Sequence, residues 1–228
     1  MRFRAILFDV AGSIDLEFAW EIAVDRAIAA ACGLEGIPVE QAKIEEASER
    51  AVEAFATNTY AHIITTLCSG HLATIARVRR RVGDALEGLD VFQLRPDIDG
   101  LLRRLAGRGL KLSIVANQAA ETRERLQRAG IGDLFAVHGL SGGTGLSKPD
   151  PRAFKAAVAV LGVAPSECIM VGDRLDNDIV PAKELGMATI LFRTGRHRRQ
   201  QPRSLADQPD AVVTDVIDLD AAITALLR

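Results

Sequence analysis

An α/β fold with a parallel sheet, interrupted near its start by a helical insert, is what this sequence predicts, on three observations. From residue 93 onward, short apolar runs ending on polar residues alternate with stretches of helical period, the pattern of strands and covering helices in a parallel sheet. A first run of the same kind, within Arg4 to Ile14, is separated from the others by an Ala-rich helical stretch between about Asp15 and Phe92. The 228 residues, 48% of them hydrophobic, suffice for one core domain with room for an insert.

In chain order, Ala5-Ile6-Leu7-Phe8 reads as a buried strand that delivers Asp9 to a turn containing Gly12. Ligands of open α/β sheets bind at that end of a strand, which makes Asp9 the first candidate for chemistry, although Asp is also an ordinary turn cap. Helical text in the insert, such as Ala19 to Ala31 and Glu45 to Ala56, is broken at Cys32-Gly33 and at Gly36-Ile37-Pro38. Asp97 to Arg108 follows as a helix stopped by Gly109, with Leu101, Leu102 and Leu105 on one face.

The second strand starts at Lys111 and ends on Asn117; a helix over Glu121 to Ala129 and a short strand at Leu134 to Val137 come next. Ser141 to Gly145 is expected to be a flexible loop leading to Lys148, since it lacks the spacing of a nucleotide-binding P-loop. Pro151 to Leu161 is a helix with proline at its start. Cys168 to Val171 is a strand running into Gly172-Asp173, with Asp176 and Asp178 close behind. A helix over Ile179 to Leu185, a strand over Ala188 to Phe192, a last strand at Ala211 to Val213 and a closing helix over Ile217 to Leu227 complete the chain. The basic run Arg193 to Arg203 is expected to be a solvated loop, the alternative being a surface that meets a phosphorylated substrate or a partner.

Asp9, Asn117, Lys148 and Asp173 stand at successive strand ends or just before a helix, a placement that converges on one cleft. Their set and order resembles the haloacid dehalogenase-like superfamily over residues 4–194, with Val171-Gly172-Asp173 to Asp178 as the most specific piece. The resemblance implies a Rossmann-like core over 1–14 and 93–228, and a helical cap over 15–92 that closes over the site, excludes water and selects substrate. It also implies phosphoryl transfer through an aspartyl-phosphate. In that scheme Asp9 is the nucleophile, Lys148 steadies the charge of nucleophile and phosphate, and Asp173 holds Mg²⁺ with support from Asp178. Ala11 gives its backbone carbonyl to the metal, a ligand that survives any side chain. The arrangement makes physical sense: a carboxylate attacks phosphorus only when the negative charge on both partners is offset, and Mg²⁺ prefers a few carboxylates, phosphate and water. Gly12, Ser13 and Asn117 are assigned to the substrate.

Two positions depart from the family pattern. Where most phosphatases of the superfamily carry a second Asp as general acid and base, this sequence has Ala11, and such help is worth ~10²–10⁴-fold in rate. Where a Ser or Thr usually binds an oxygen of the substrate, it has Ala116. Ordinary alkyl phosphates are then expected to be poor substrates. The first motif, Asp9-Val10-Ala11-Gly12-Ser13, is close to that of phosphonoacetaldehyde hydrolases, which also need a cap lysine for a Schiff base. The only lysine of the insert is Lys43, in a stretch without the expected surroundings. The 2-haloacid dehalogenases lack the second Asp too, but have given up the Gly-Asp retained here as Gly172-Asp173. A non-catalytic binder of a phosphate ligand is the reading from another class. Within the insert, Trp20, Tyr60 and His62 are candidates to face the substrate, with His62 a conceivable stand-in for the missing acid; the alternative, preferred for His62, is that Trp20 and Tyr60 are core residues and His62 a surface or capping group.

A net charge of −2 gives no general attraction to nucleic acid, and no run of about 18 apolar residues is present to span a membrane. Asp9 interrupts the apolar run after Arg2 and Arg4 before a signal sequence forms, so a cytoplasmic protein is expected. The partner expected is a small phosphorylated molecule; the oligomeric state is left open. Cys32, Cys68 and Cys168 are far apart in sequence and read as reduced, buried thiols.

Overall fold

A computed structural model describes residues 2–228. The chain divides into two compact units, one of Met1–Leu16 with Gln93–Arg228 and one of Glu17–Phe92. The first holds six strands: β1 (Ala5–Phe8), β2 (Lys111–Ala116), β3 (Phe135–Leu140), β4 (Cys168–Gly172), β5 (Ala188–Phe192) and β6 (Ala211–Val213). They form one parallel sheet in the order β3-β2-β1-β4-β5-β6. After β1 the chain builds outward on one side through β2 and β3, then returns to add β4 to β6 on the other. The switch point therefore lies between β1 and β4, and ligands bind at that crevice in open sheets. Phe8 is level with both Ile114 and Val171, so Asp9 emerges beside the end of β4.

All four residues of β1 and all five of β4 are buried, the near-continuous apolar run expected of strands covered on both faces. In the second unit, α1 (Phe18–Leu34), α2 (Gln41–Glu53), α3 (Thr59–Leu67) and α4 (Leu72–Leu86) bury one another around Val24, Ile28, Ile44, Ile63 and Val78. Cys32 and Cys68, distant in sequence, meet there as hydrogen-bonded thiols, and burial pushes the Cys32 thiol up to about 12.

The remaining helices of the sheet unit are α5 (Ile98–Gly107), α6 (Thr122–Arg128), α7 (Ser141–Thr144), α8 (Pro151–Leu161), α9 (Val180–Glu184) and α10 (Val216–Leu226). α5 turns Ile98, Leu101, Leu102 and Leu105 inward. α8 is bounded by an Asp150 side chain that accepts from Arg152 N and by Gly162 in the left-handed region, as helix ends require. Its Phe154 and Ala157 pack with Leu7 and Met170 of the sheet.

Three expectations are corrected. The glycine-rich loop at 141–145 is a single helical turn, α7, closed by Gly145 N–H donating to Ser141 O at 2.8 Å and by Thr144 Oγ1 donating to Leu140 O. The helix expected from Ile179 starts only at Val180, because Leu175–Ile179 first makes one wide turn, Ile179 N–H reaching back to Arg174 O at 3.2 Å. Such wide turns concentrate at functional sites. The basic run 193–203 is a solvated loop only in part: Arg198, Arg199, Gln201 and Arg203 are exposed, but Arg193 Nη1 donates to Arg198 O and Gln200 O, and buried Gln200 donates to Asp176 while accepting from Leu175 N. Composition announced the charge of that run and hid its anchors. Among the described residues, no helix is long and apolar enough to cross a membrane.

Candidate active site

The site is built at the ends of β1 and β4. Asp9 N–H donates to Val171 O at 2.9 Å as the last rung of the sheet, and Val10 N–H then donates to Asp9 Oδ1 at 2.8 Å, fixing the carboxylate as the chain turns away. Gly12 takes φ +73°, and a Cβ there would lie 2.9 Å from Asp173 Cγ. The loop therefore passes against the Asp173 side chain at a distance that only glycine permits.

Lys148 is buried between two carboxylates, its Nζ 2.9 Å from Asp9 Oδ1 and 2.5 Å from Asp178 Oδ1. It arrives there on a cis Lys148–Pro149 peptide. Asn117, one residue beyond β2, grips its main chain: Lys148 N–H donates to Asn117 Oδ1 at 2.7 Å and Asn117 Nδ2 donates to Lys148 O at 2.8 Å. Asn117 thus reaches the site through the lysine it places, with both functional groups of its amide engaged. Asp178 closes the cluster from the wide turn, its Oδ2 accepting from Arg174 N at 3.0 Å. A Cβ on Gly172 would stand 2.4 Å from the Asp178 carboxyl carbon, so this glycine makes room for the acid.

The electrostatics follow from burial. Burial raises the Asp9 carboxyl above its ordinary range against the pull of Lys148, and raises Asp178 to about 6 in the same way. Burial alone would lower Lys148, but Asp178 and Asp9 together hold it above its usual value, and it stays charged. Donor oxygens of Asp9, Asp173 and Asp178 all lie within 4.8 Å of one another. Three buried carboxylates share one ammonium inside this cluster, a negative excess that is costly in a low-dielectric pocket. Hard oxygen donors in that number and with that charge fit a divalent cation. The Ala11 carbonyl accepts from Ser13 N–H at 2.8 Å and has a second lone pair for another donor or a cation.

Ser13 is fully buried, and its Oγ has no hydrogen-bond partner among the described residues. Within the helical unit, Trp20 and Tyr60 are partly buried against the apolar core. His62 N–H continues the first turn of α3 by donating to Asn58 O at 3.0 Å. Two of its polar neighbours serve that helix: Asn58 Oδ1 accepts from Ala61 N, and Thr65 Oγ1 donates to Ala61 O. Lys43 is exposed on α2 and paired with Glu46 at 3.2 Å, a solvated lysine, whereas Schiff-base lysines are buried ones.

Several neighbours of the site had no signal in the sequence. Arg95 donates from Nε to Gly12 O at 3.1 Å, from Nη2 to the same carbonyl, and from Nη2 to Thr194 Oγ1 at 2.9 Å. His197 Nδ1 lies 3.6 Å from Asp173 Oδ2. Leu94-Arg95-Pro96 reads only as a boundary, and His197 only as part of a charge run.

Strand order, the switch-point position of Asp9 and the carboxylate–lysine cluster describe a hydrolase of the haloacid dehalogenase class. A profile of the haloacid dehalogenase-like hydrolases matches residues 3–186, and the chain belongs to that family. It is 39% identical over 116 residues to a glyceraldehyde 3-phosphate phosphatase of Methanopyrus kandleri, covering 50% of each chain. To a phosphoserine phosphatase of Thermus thermophilus it is 34% identical over 126 residues, 55% of this chain and 49% of the other. It spans about half the length of these curated relatives. A crystal structure of a predicted phosphoglycolate phosphatase from Haemophilus somnus has the same fold, with TM-score 0.74 at 20% identity over 100% of this chain and 99% of that one.

Proposed function

We propose that this chain is a Mg²⁺-dependent phosphatase of a small phosphorylated metabolite that works through an aspartyl-phosphate on Asp9. The observation that carries the reading is the placement of Asp9 Oδ1 2.9 Å from the Lys148 ammonium, with Asp173 and Asp178 donors within the same 4.8 Å cluster. Asp9 Oδ1 takes donors from both Lys148 and Val10, which leaves Oδ2 to attack phosphorus. Lys148 offsets charge on the nucleophile and on the phosphoryl oxygens as the bond to the leaving oxygen breaks. Asp178 and Asn117 hold this lysine, one by its ammonium and the other by its main chain. Asp9, Asp173, Asp178 and the Ala11 carbonyl would hold Mg²⁺, whose contribution is to neutralise phosphate charge. Water then cleaves the acyl phosphate, returning Asp9 and releasing inorganic phosphate. Because Ala11 supplies no proton, the leaving group must be stable as an anion or be protonated by solvent. The helical unit is read as the cap, with Trp20, Tyr60 and His62 as its candidates for the substrate and Gly12 and Ser13 as those of the nucleophile loop. The names of the relatives, phosphatases of small phosphorylated molecules, support a small phosphate ester as the substrate.

Phosphate release from p-nitrophenyl phosphate, with Mg²⁺ or with chelator, tests this directly. An aryl oxide leaves without an acid, so the assay reads the nucleophile and metal despite Ala11. Turnover that needs Mg²⁺ and vanishes in Asp9→Asn is expected. No release above background overturns the reading in favour of a phosphate-ligand binder, and turnover undiminished by chelator overturns the metal assignment.

A further inference from the structure

Arg95 lies on the segment that follows the helical unit, where its main-chain N–H donates to Ile14 O at 2.8 Å. Its guanidinium reaches across the nucleophile loop. Two of its nitrogens donate to the Gly12 carbonyl, and one of them also donates to the Thr194 hydroxyl just beyond β5. The guanidinium carbon sits 4.4 Å from the centre of the Phe192 ring, a stacked cation that an ammonium does not reproduce.

Gly12 is the residue pressed between Asp173 and Thr194, since a Cβ on it would lie 2.9 Å from Asp173 Cγ and 2.9 Å from Thr194 Cγ2. One planar cation therefore pins the loop that carries Asp9 to the end of β5 and holds its peptide against a candidate metal ligand. The guanidinium is half-buried, and this burial pulls its pKa below the usual value, with the carboxylates of Asp173 and Asp15 offsetting only part of that effect. With the Gly12 carbonyl taken by Arg95 and the Ala11 carbonyl taken by Ser13 N–H, the orientation of the peptides following Asp9 is set.

We propose that Arg95 is a positioning residue for the reaction: by holding the Gly12 carbonyl and the Thr194 hydroxyl together, it keeps the nucleophile loop in its reactive form. Ala11 offers no polar side chain to this loop, and Arg95 is a donor to it from outside the known motifs. The proposal rests on the phosphatase reading. Small displacements are enough for a large effect, because a misplacement of about 1 Å costs on the order of 10²-fold in rate.

The test compares wild type with Arg95→Met, which keeps the stem and loses every donor, and with Arg95→Lys, which keeps charge and a single donor group. In the metal-free protein, amide hydrogen exchange of the peptide spanning residues 9–16 is expected to speed up at least tenfold in Arg95→Met, while the strands of the sheet stay protected. With p-nitrophenyl phosphate and Mg²⁺, kcat is expected to fall roughly 10- to 100-fold in Arg95→Met and less in Arg95→Lys, with KM within about threefold of wild type. In Arg95→Ala, guanidinium ion at tens of millimolar is expected to restore part of kcat where the same concentration of ammonium does not. A bystander role would not give ion-specific rescue. Unchanged kcat and unchanged loop exchange in Arg95→Met overturn the proposal while leaving the phosphatase reading standing. A rise in KM alone also overturns it, since that assigns Arg95 to substrate binding. If wild type releases no phosphate, the phosphatase reading falls and this proposal falls with it.

Discussion

Gly172→Ala puts a methyl group where the Asp178 carboxyl already lies. The added Cβ would meet Asp178 Cγ at 2.4 Å and Oδ2 at 2.4 Å, so the carboxyl must retreat by roughly 1 Å to reach ordinary van der Waals separation. Its 2.5 Å contact with Lys148 Nζ then stretches beyond useful hydrogen-bond length. Overpacking of this kind costs ~1–3 kcal/mol, offset by about 0.4–1 kcal/mol because alanine narrows the unfolded ensemble. The net loss is ~1–2 kcal/mol, a fall in Tm of roughly 2–8 °C for a chain of this size. Activity falls further, on the order of 10²-fold, because the displaced acid holds Lys148, which also pairs with Asp9. Thermal unfolding by circular dichroism and turnover of p-nitrophenyl phosphate measure the two effects. Gly83→Ala in α4 is the control: nothing lies within 4 Å of its added Cβ, and it should stabilise by about 0.5–1 kcal/mol. A Gly172→Ala protein that melts and turns over like wild type would refute the close approach of Asp178. A lowered Tm with full turnover would equally refute the claim that this acid holds Lys148.

In metal-free protein, the Asp178 carboxyl lies near about 6 against an ordinary 3.8, so the folded state binds the extra proton between those values. Its contribution to stability is full below 3.8 and is lost as pH rises to about 6, a change on the order of 2–3 kcal/mol; the stabilisation by Mg²⁺ over chelator in thermal unfolding should therefore grow from pH 5 to pH 7, and equal stabilisation at both would contradict this. Cys32, Cys68 and Cys168 are all buried, and burial pushes Cys32 and Cys168 up to about 12. Less than one thiol should react with a disulfide reagent at pH 8 in native protein over minutes, against three in denaturant, and rapid reaction of all three in native protein would show that the burial is wrong.

The sequence by itself determined the class of fold and the order of its strands and helices, because apolar periodicity and helix-end residues are local. Pro151 to Leu161 and Ala188 to Phe192 were legible to the residue for that reason. Asp9, Lys148, Asp173 and Asp178 were legible as a set because their order resembles that of the family, and because Asp9 and Asp173 follow parallel strands whose ends face one crevice. Asn117 was visible too, but as a ligand donor; only the folded chain directs its amide to the Lys148 main chain.

What the tertiary structure decided concerns contacts made across long stretches of chain. Gly172 is needed because Asp178 folds back onto it, and the wide turn at Leu175–Ile179 exists to let that happen. Cys32 meets Cys68 only when the helices of the second unit gather around their common core. The run at 193–203 is ordered by Gln200, a residue whose composition says nothing of burial. Arg95 carries no motif at all, and its place on the nucleophile loop comes from the pairing of residues 14–16 with 93–95. Sequence spacing encodes what one element does along its own axis; a side chain that serves another segment is fixed only when the sheet order brings the two together.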